Sequence, residues 1–143
     1  MAPTEAAHGP GETGAIRRLF VANRGEIAVR IGRTCDRLGI EAIIPSTDGP
    51  GALDLLDIDA VVEAARAAGA DAVHPGYGFL AENADFAQAV LDAGIRWIGP
   101  PPAAIRAMGD KAAARQLARR LGVPTIDGYD GAAQTDAALT RAA

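Results

Sequence analysis

Apolar positions along the chain fall into two alternating patterns. Short, largely apolar runs stand at Leu19–Ala22, Ala42–Ile44, Ala72–Val73 and Ile95–Ile98, each bounded by Gly, Pro or polar residues. Runs of that length suit strands buried on both faces of a parallel sheet. Longer stretches with a helical period lie between them. Ile27, Ile31, Thr34, Cys35 and Leu38 recur at three- and four-residue spacing and predict one inward stripe on a helix from Gly25 to Leu38, stopped by Gly39. Arg30, Arg33 and Arg37 face elsewhere on that helix, and Glu26 stands four residues before Arg30, the spacing of an ion pair.

Asp57 caps a second predicted helix that turns Ile58, Val61, Val62 and Ala65 inward and ends at Gly69. A third follows Asn83, buries Phe86 and Val90, and ends at Gly94. After a Gly-Pro-Pro turn come Ala103–Met108 and Asp110–Leu121, the latter closed by Gly122 with Pro124 beyond. Strand–helix alternation of this kind predicts an α/β fold: an open, mostly parallel, Rossmann-like sheet with helices on both faces. Residues 45–56 (PSTDGPGALDLL) carry turn chemistry and leave no room for another strand. Three regions are expected: a disordered tail over 1–16, a folded domain over 17–128, and a truncated linker over 129–143.

Composition narrows the function classes. Eighteen acidic against fourteen basic residues give a net charge of −4, so no basic surplus suggests nucleic-acid binding. The single cysteine, Cys35, excludes an internal disulfide and fits a reducing, cytoplasmic setting, with core filling as its expected role. No apolar run approaches the roughly 20 residues of a membrane span, and residues 1–15 lack the basic start and apolar core of a secretory signal.

In an open α/β sheet, ligands sit beyond the carboxyl ends of the strands. Two polar clusters fall there: Asn23-Arg24-Gly25-Glu26 after the first strand, and His74-Pro75-Gly76-Tyr77-Gly78-Phe79-Leu80 after the third. The first has one glycine and not Gly-x-Gly-x-x-Gly, which argues against a dinucleotide site. Gly76-Tyr77-Gly78 could bring a ring close to a flat ligand, or place Tyr77 as a lid on the core. His74 could be an acid or base, or a hydrogen-bonded structural residue at a strand end. No Ser, Cys or carboxylate stands at a triad spacing to support nucleophilic catalysis. Lys111 follows the cap candidate Asp110, where the helix dipole disfavours a cation unless an anion shares the site; its alternative is a solvated stripe with Arg115 and Arg119.

Four phrases in this order, Phe20–Ile31, His74–Asn83, Ile98-Gly99-Pro100 and Ala107–Lys111, resemble the N-terminal, pre-ATP-grasp domain of biotin carboxylase over about residues 17–131. The resemblance implies a complete enzyme that uses Mg-ATP and bicarbonate to make carboxyphosphate, whose CO2 passes to the ureido nitrogen of biotin. It implies that Lys111 contacts ATP phosphates, that Tyr77 and Gly78 line the biotin side of the site, and that Arg30 and Arg33 lie on a homodimer face. No catalytic residue and no metal ligand is implied within these residues. The implied partners are the remaining ATP-grasp domain, a biotin carrier domain and a carboxyltransferase, with neither nucleic acid nor membrane among them. The family has a longer segment after its second strand, so one strand unit is expected to be missing here, and the isolated chain is expected to be inactive. Two other readings remain: a stand-alone, non-catalytic interaction module, and the equivalent domain of another ATP-grasp ligase, which would lack the His74–Asn83 phrase.

Overall fold

The computed structural model describes residues 14–126, 133 and 135–142. Its strands are β1 (Arg18–Val21), β2 (Glu41–Ile43), β3 (Ala72–His74) and β4 (Arg96–Trp97). They form one all-parallel sheet in the order β2-β1-β3-β4. Its helices are α1 (Gly25–Leu38), α2 (Ile58–Ala67), α3 (Ala84–Asp92), α4 (Pro102–Gly109), α5 (Lys111–Arg120) and α6 (Asp136–Ala142). The expected class holds. So does the short connection after β2: among the described residues no strand stands between β2 and α2. That loop folds back on itself, Leu53 N–H donating to Ser46 O at 2.8 Å, and buries Leu55 in the core.

Alternate strand residues serve opposite faces, as the period of a strand dictates. Phe20, Val73 and Trp97 point to the α2–α3 side, where Val61, Ala65, Phe86 and Val90 pack against them. Leu19, Ala42, Ala72 and Ile98 point to the α1 side and meet Ile31 and Cys35. Phe86 is fully buried and meets Trp97 edge-on, ring centroids 5.4 Å apart. The helix α4 packs on α3 through Ile105, Ala84 and Ala87, and α5 packs on α4.

The predicted stripe on α1 needs one correction. Cys35 is buried, but Leu38 is 67% exposed. Helical periodicity says which way a residue faces, not whether anything lies opposite. Here the last turn of α1 borders an open hollow of about 420 Å³ lined by Ile16, Leu19, Ile31, Leu38 and Ile98 among others. The stretch expected as a linker carries the short helix α6. Residues 1–13 of the expected tail, and residues 127–132 around the expected domain boundary, lie outside the described residues.

Candidate functional site

The carboxyl ends of β1 and β3 lie side by side, Phe20 paired with Val73 and Val21 with His74. The two polar segments that follow them therefore emerge together. Asn23 opens the first. It is the one buried polar residue among the described ones, with no exposed surface. Its Nδ2 donates to Pro75 O at 2.7 Å and to Tyr77 O at 2.9 Å, and its Oδ1 accepts from Arg24 N–H at 2.9 Å. The loop from Pro75 to Tyr77 is thus fastened to the end of β1.

Gly76 sits between the two captured carbonyls at φ +65°, and a Cβ there would lie 2.6 Å from Asn23 Nδ2 and 2.7 Å from Ile27 Cγ2. No other residue type fits that space without a shift. His74 Nδ1 accepts from Gly76 N–H at 2.9 Å, so the proton of the neutral ring is on Nε2. Burial pushes the His74 pKa below its ordinary value, which favours that neutral form. The structural role for His74 is the one its geometry supports.

Tyr77 is 66% exposed, which removes the alternative of a lid on the core; Leu80, three residues on, is buried in its place. The Tyr77 hydroxyl donates to Glu26 Oε1 at 3.1 Å. That bond, followed by the nearby carboxylate charge, pushes the phenol pKa up. Glu26 therefore does not spend itself on Arg30, as spacing suggested. Arg30 Nη1 instead donates to Thr34 Oγ1 at 2.9 Å. A third link joins the segments where the Arg24 guanidinium lies 5.5 Å over the Phe79 ring. Phe79 takes φ +46°, rare outside glycine, which turns its ring back toward Arg24.

Gly78 adjoins Tyr77 with open space where a Cβ would stand. Arg30 and Arg33 are exposed on α1. Lys111 is exposed in the first turn of α5, behind Asp110, whose Oδ1 accepts from Ala113 N–H at 2.8 Å. The structure thus gathers Tyr77 and Gly78 with Glu26 and Asn23, while Lys111 stands on α5, which packs on α4. Among the described residues no group of three or more His, Cys, Asp or Glu could hold a metal ion. Nor, among the described residues, is any helix long and apolar enough to cross a membrane.

Asn23 is the residue the sequence marked only as part of a polar turn. Its signal was its place directly after an apolar run, but the two carbonyls that its Nδ2 meets lie more than fifty residues on.

The sequence pattern of the family described as "Biotin carboxylase, N-terminal domain" matches residues 15–53 and 44–105. The two stretches meet in the β2–α2 loop, where the family was expected to be longer. The mitochondrial methylcrotonoyl-CoA carboxylase subunit alpha of Oryza sativa subsp. japonica is 46% identical over 84% of this chain and 19% of its own length. The biotin carboxylase of Haemophilus influenzae is 42% identical over 88% of this chain and 32% of its own. The biotin carboxylase domain dimer of Hydrogenobacter thermophilus 2-oxoglutarate carboxylase, solved with MgADP, ADP and bicarbonate, superimposes with a TM-score of 0.81 at 38% identity, covering 88% of this chain and 32% of that one. The chain therefore spans about a fifth to a third of the length of these three relatives.

Proposed function

The chain belongs to the biotin carboxylase N-terminal domain family, and on that premise we propose that it supplies the first domain of an ATP-dependent biotin carboxylase, a ligase that carboxylates biotin on a carrier. The observation that carries this is the joint of the two family phrases: Tyr77, from one, presents an exposed ring whose hydroxyl is held by Glu26, from the other. A ring fixed at its hydroxyl and open on its face suits a flat ligand such as the ureido ring of biotin.

In this reading Tyr77 and Gly78 line the biotin side of the site. Lys111 meets ATP phosphates, a role its exposed cation at a helix start supports. Magnesium would be held by the remaining ATP-grasp domain, which is also the nearest partner of this one. Arg30 and Arg33 serve a homodimer face, and the biotin carrier domain and carboxyltransferase complete the assembly. A cytoplasmic setting fits the free, buried thiol of Cys35.

The bound ATP would activate bicarbonate as carboxyphosphate. What these residues contribute is orientation, since the Glu26 carboxylate beside Tyr77 is engaged by its hydroxyl. The test is a chimaera in which this chain replaces the matching segment of the Haemophilus influenzae enzyme. It should cleave ATP in a bicarbonate- and biotin-dependent way, whereas the chain alone should not. A folded but inactive chimaera would favour a non-catalytic interaction module.

A further inference from the structure

We propose that Asn23 is the positioning residue of the Tyr77 loop: with Glu26, one turn later, it holds Tyr77 by both its backbone and its hydroxyl. One amide group collects the carbonyls of Pro75 and Tyr77, two residues apart, and so dictates the path between them. That path forces Gly76 into the left-handed region and leaves no room for a Cβ. The hydroxyl end of the same residue is fixed by Glu26. Both anchors sit where β1 passes into α1, so the ring orientation is set by a rigid strand-to-helix junction.

The amide satisfies the Pro75 and Tyr77 carbonyls and the Arg24 N–H, which an apolar residue of the same size would leave without this partner. What Asn23 fixes is a loop whose next residues, Tyr77 and Phe79, are exposed. A buried polar side chain with both of its donors spent on an exposed loop is placed for geometry.

The consequence for biotin rests on the function proposed above; the clasp itself does not. The experiment therefore has two arms. In the first, Tyr129, the other tyrosine, is replaced (Tyr129→Phe), and the Tyr77 phenol is titrated by ultraviolet absorbance. Glu26→Gln should bring its raised pKa down to the ordinary tyrosine value. Asn23→Asp and Asn23→Ala should do the same, although neither touches the hydroxyl. Amide exchange at Gly76–Phe79 should quicken by roughly tenfold or more, with α2 and α3 unchanged. An unaltered Tyr77 titration and unaltered loop exchange in folded Asn23 variants overturn the proposal.

If those variants do not fold, the unsubstituted chain decides. Its Asn23 side-chain amide protons should be protected from exchange and show hydrogen-bond couplings to the Pro75 and Tyr77 carbonyls; rapidly exchanging, uncoupled protons overturn the clasp. The second arm uses the chimaera, where Asn23→Asp should raise KM for free biotin roughly tenfold and leave KM for ATP unchanged. Equal effects on both, or none, overturn the positioning role. If Tyr77→Ala leaves the biotin KM unchanged, the placement of biotin is wrong while the first arm still judges the clasp.

Discussion

Asp71 fastens the start of β1 from the turn before β3: its Oδ2 accepts from the backbone N–H of Arg18 at 2.8 Å, and from that of Arg17 at 2.7 Å. Burial alone would raise the Asp71 pKa. The two N–H groups, with the Arg96 guanidinium and Arg17 nearby, outweigh it and hold the carboxyl below its ordinary 3.8. A carboxyl depressed in the folded state contributes stability that is present above its unfolded pKa. That contribution disappears as pH falls from about 4 through the lower folded value. Asp71→Ala should cost about 1–3 kcal/mol near neutral pH, because two strand N–H groups lose a charged acceptor. It should also flatten the acid limb of a denaturation curve measured between about pH 5 and pH 2. Parallel acid limbs in the two proteins would show that Asp71 is not the group responsible.

His74 gives the opposite end of the argument. Its Nδ1 accepts from Gly76 N–H, so the folded loop needs the neutral ring, and burial lowers the folded pKa below 6.5. Below 6.5 the unfolded chain takes up a proton that the folded one resists, so stability falls as pH drops through that region. Thermal midpoints should decline between pH 7.5 and 5.5, above the carboxylate range, and His74→Asn should reduce the slope. A slope untouched by the substitution assigns it to other groups.

Phe86 has no exposed surface, and its edge-on contact with Trp97 joins α3 to β4. Phe86→Ala removes a ring from a close-packed site and should cost about 3–5 kcal/mol. Domains of this size have only about 5–15 kcal/mol in hand. With the α1 face of the sheet partly open, the loss should lower the melting midpoint by roughly 10 °C or more. Trp97, the single tryptophan, reports it by a red shift in emission. A midpoint within a few degrees of the parent would mean that the site collapses around the missing ring.

The helices were legible because their ends are chemical. Asp57 and Asp110 stand at cap positions in the sequence, and each side chain accepts from the N–H three residues on; Asn83 accepts from those of Asp85 and Phe86. Gly39 closes α1 at φ +68° in the left-handed conformation expected of a stop. The strands followed from their apolar runs. What sequence could not supply was anything fixed by distant neighbours. The exposure of Leu38 depends on an open hollow, not on its own spacing. Glu26 chose Tyr77, 51 residues away, over Arg30 on the next turn. The two carbonyls that bury Asn23 come from another strand's loop, so a polar residue in an ordinary turn position gave no sign of its role.

Lys111 yields the last prediction. Its charge and the N–H groups at the start of α5 can together offer a few kcal/mol to a phosphate. The chain spans at most about a third of the relatives named above, and in the proposed reading the adenine and metal are held by the remaining domain. A dissociation constant of 1 mM corresponds to only about 4 kcal/mol, so the 143-residue chain should bind ATP no more tightly than roughly millimolar. Lys111→Ala should then change little in the chain alone. In the chimaera, where the phosphates are held against the ammonium group, it should weaken ATP binding roughly tenfold or more, and Lys111→Arg should restore only part of it, because a planar fork does not replace a point charge. Calorimetry on both proteins separates the outcomes. Micromolar binding by the chain alone would show a self-contained nucleotide site, and an unaffected chimaera would remove Lys111 from the phosphate contact.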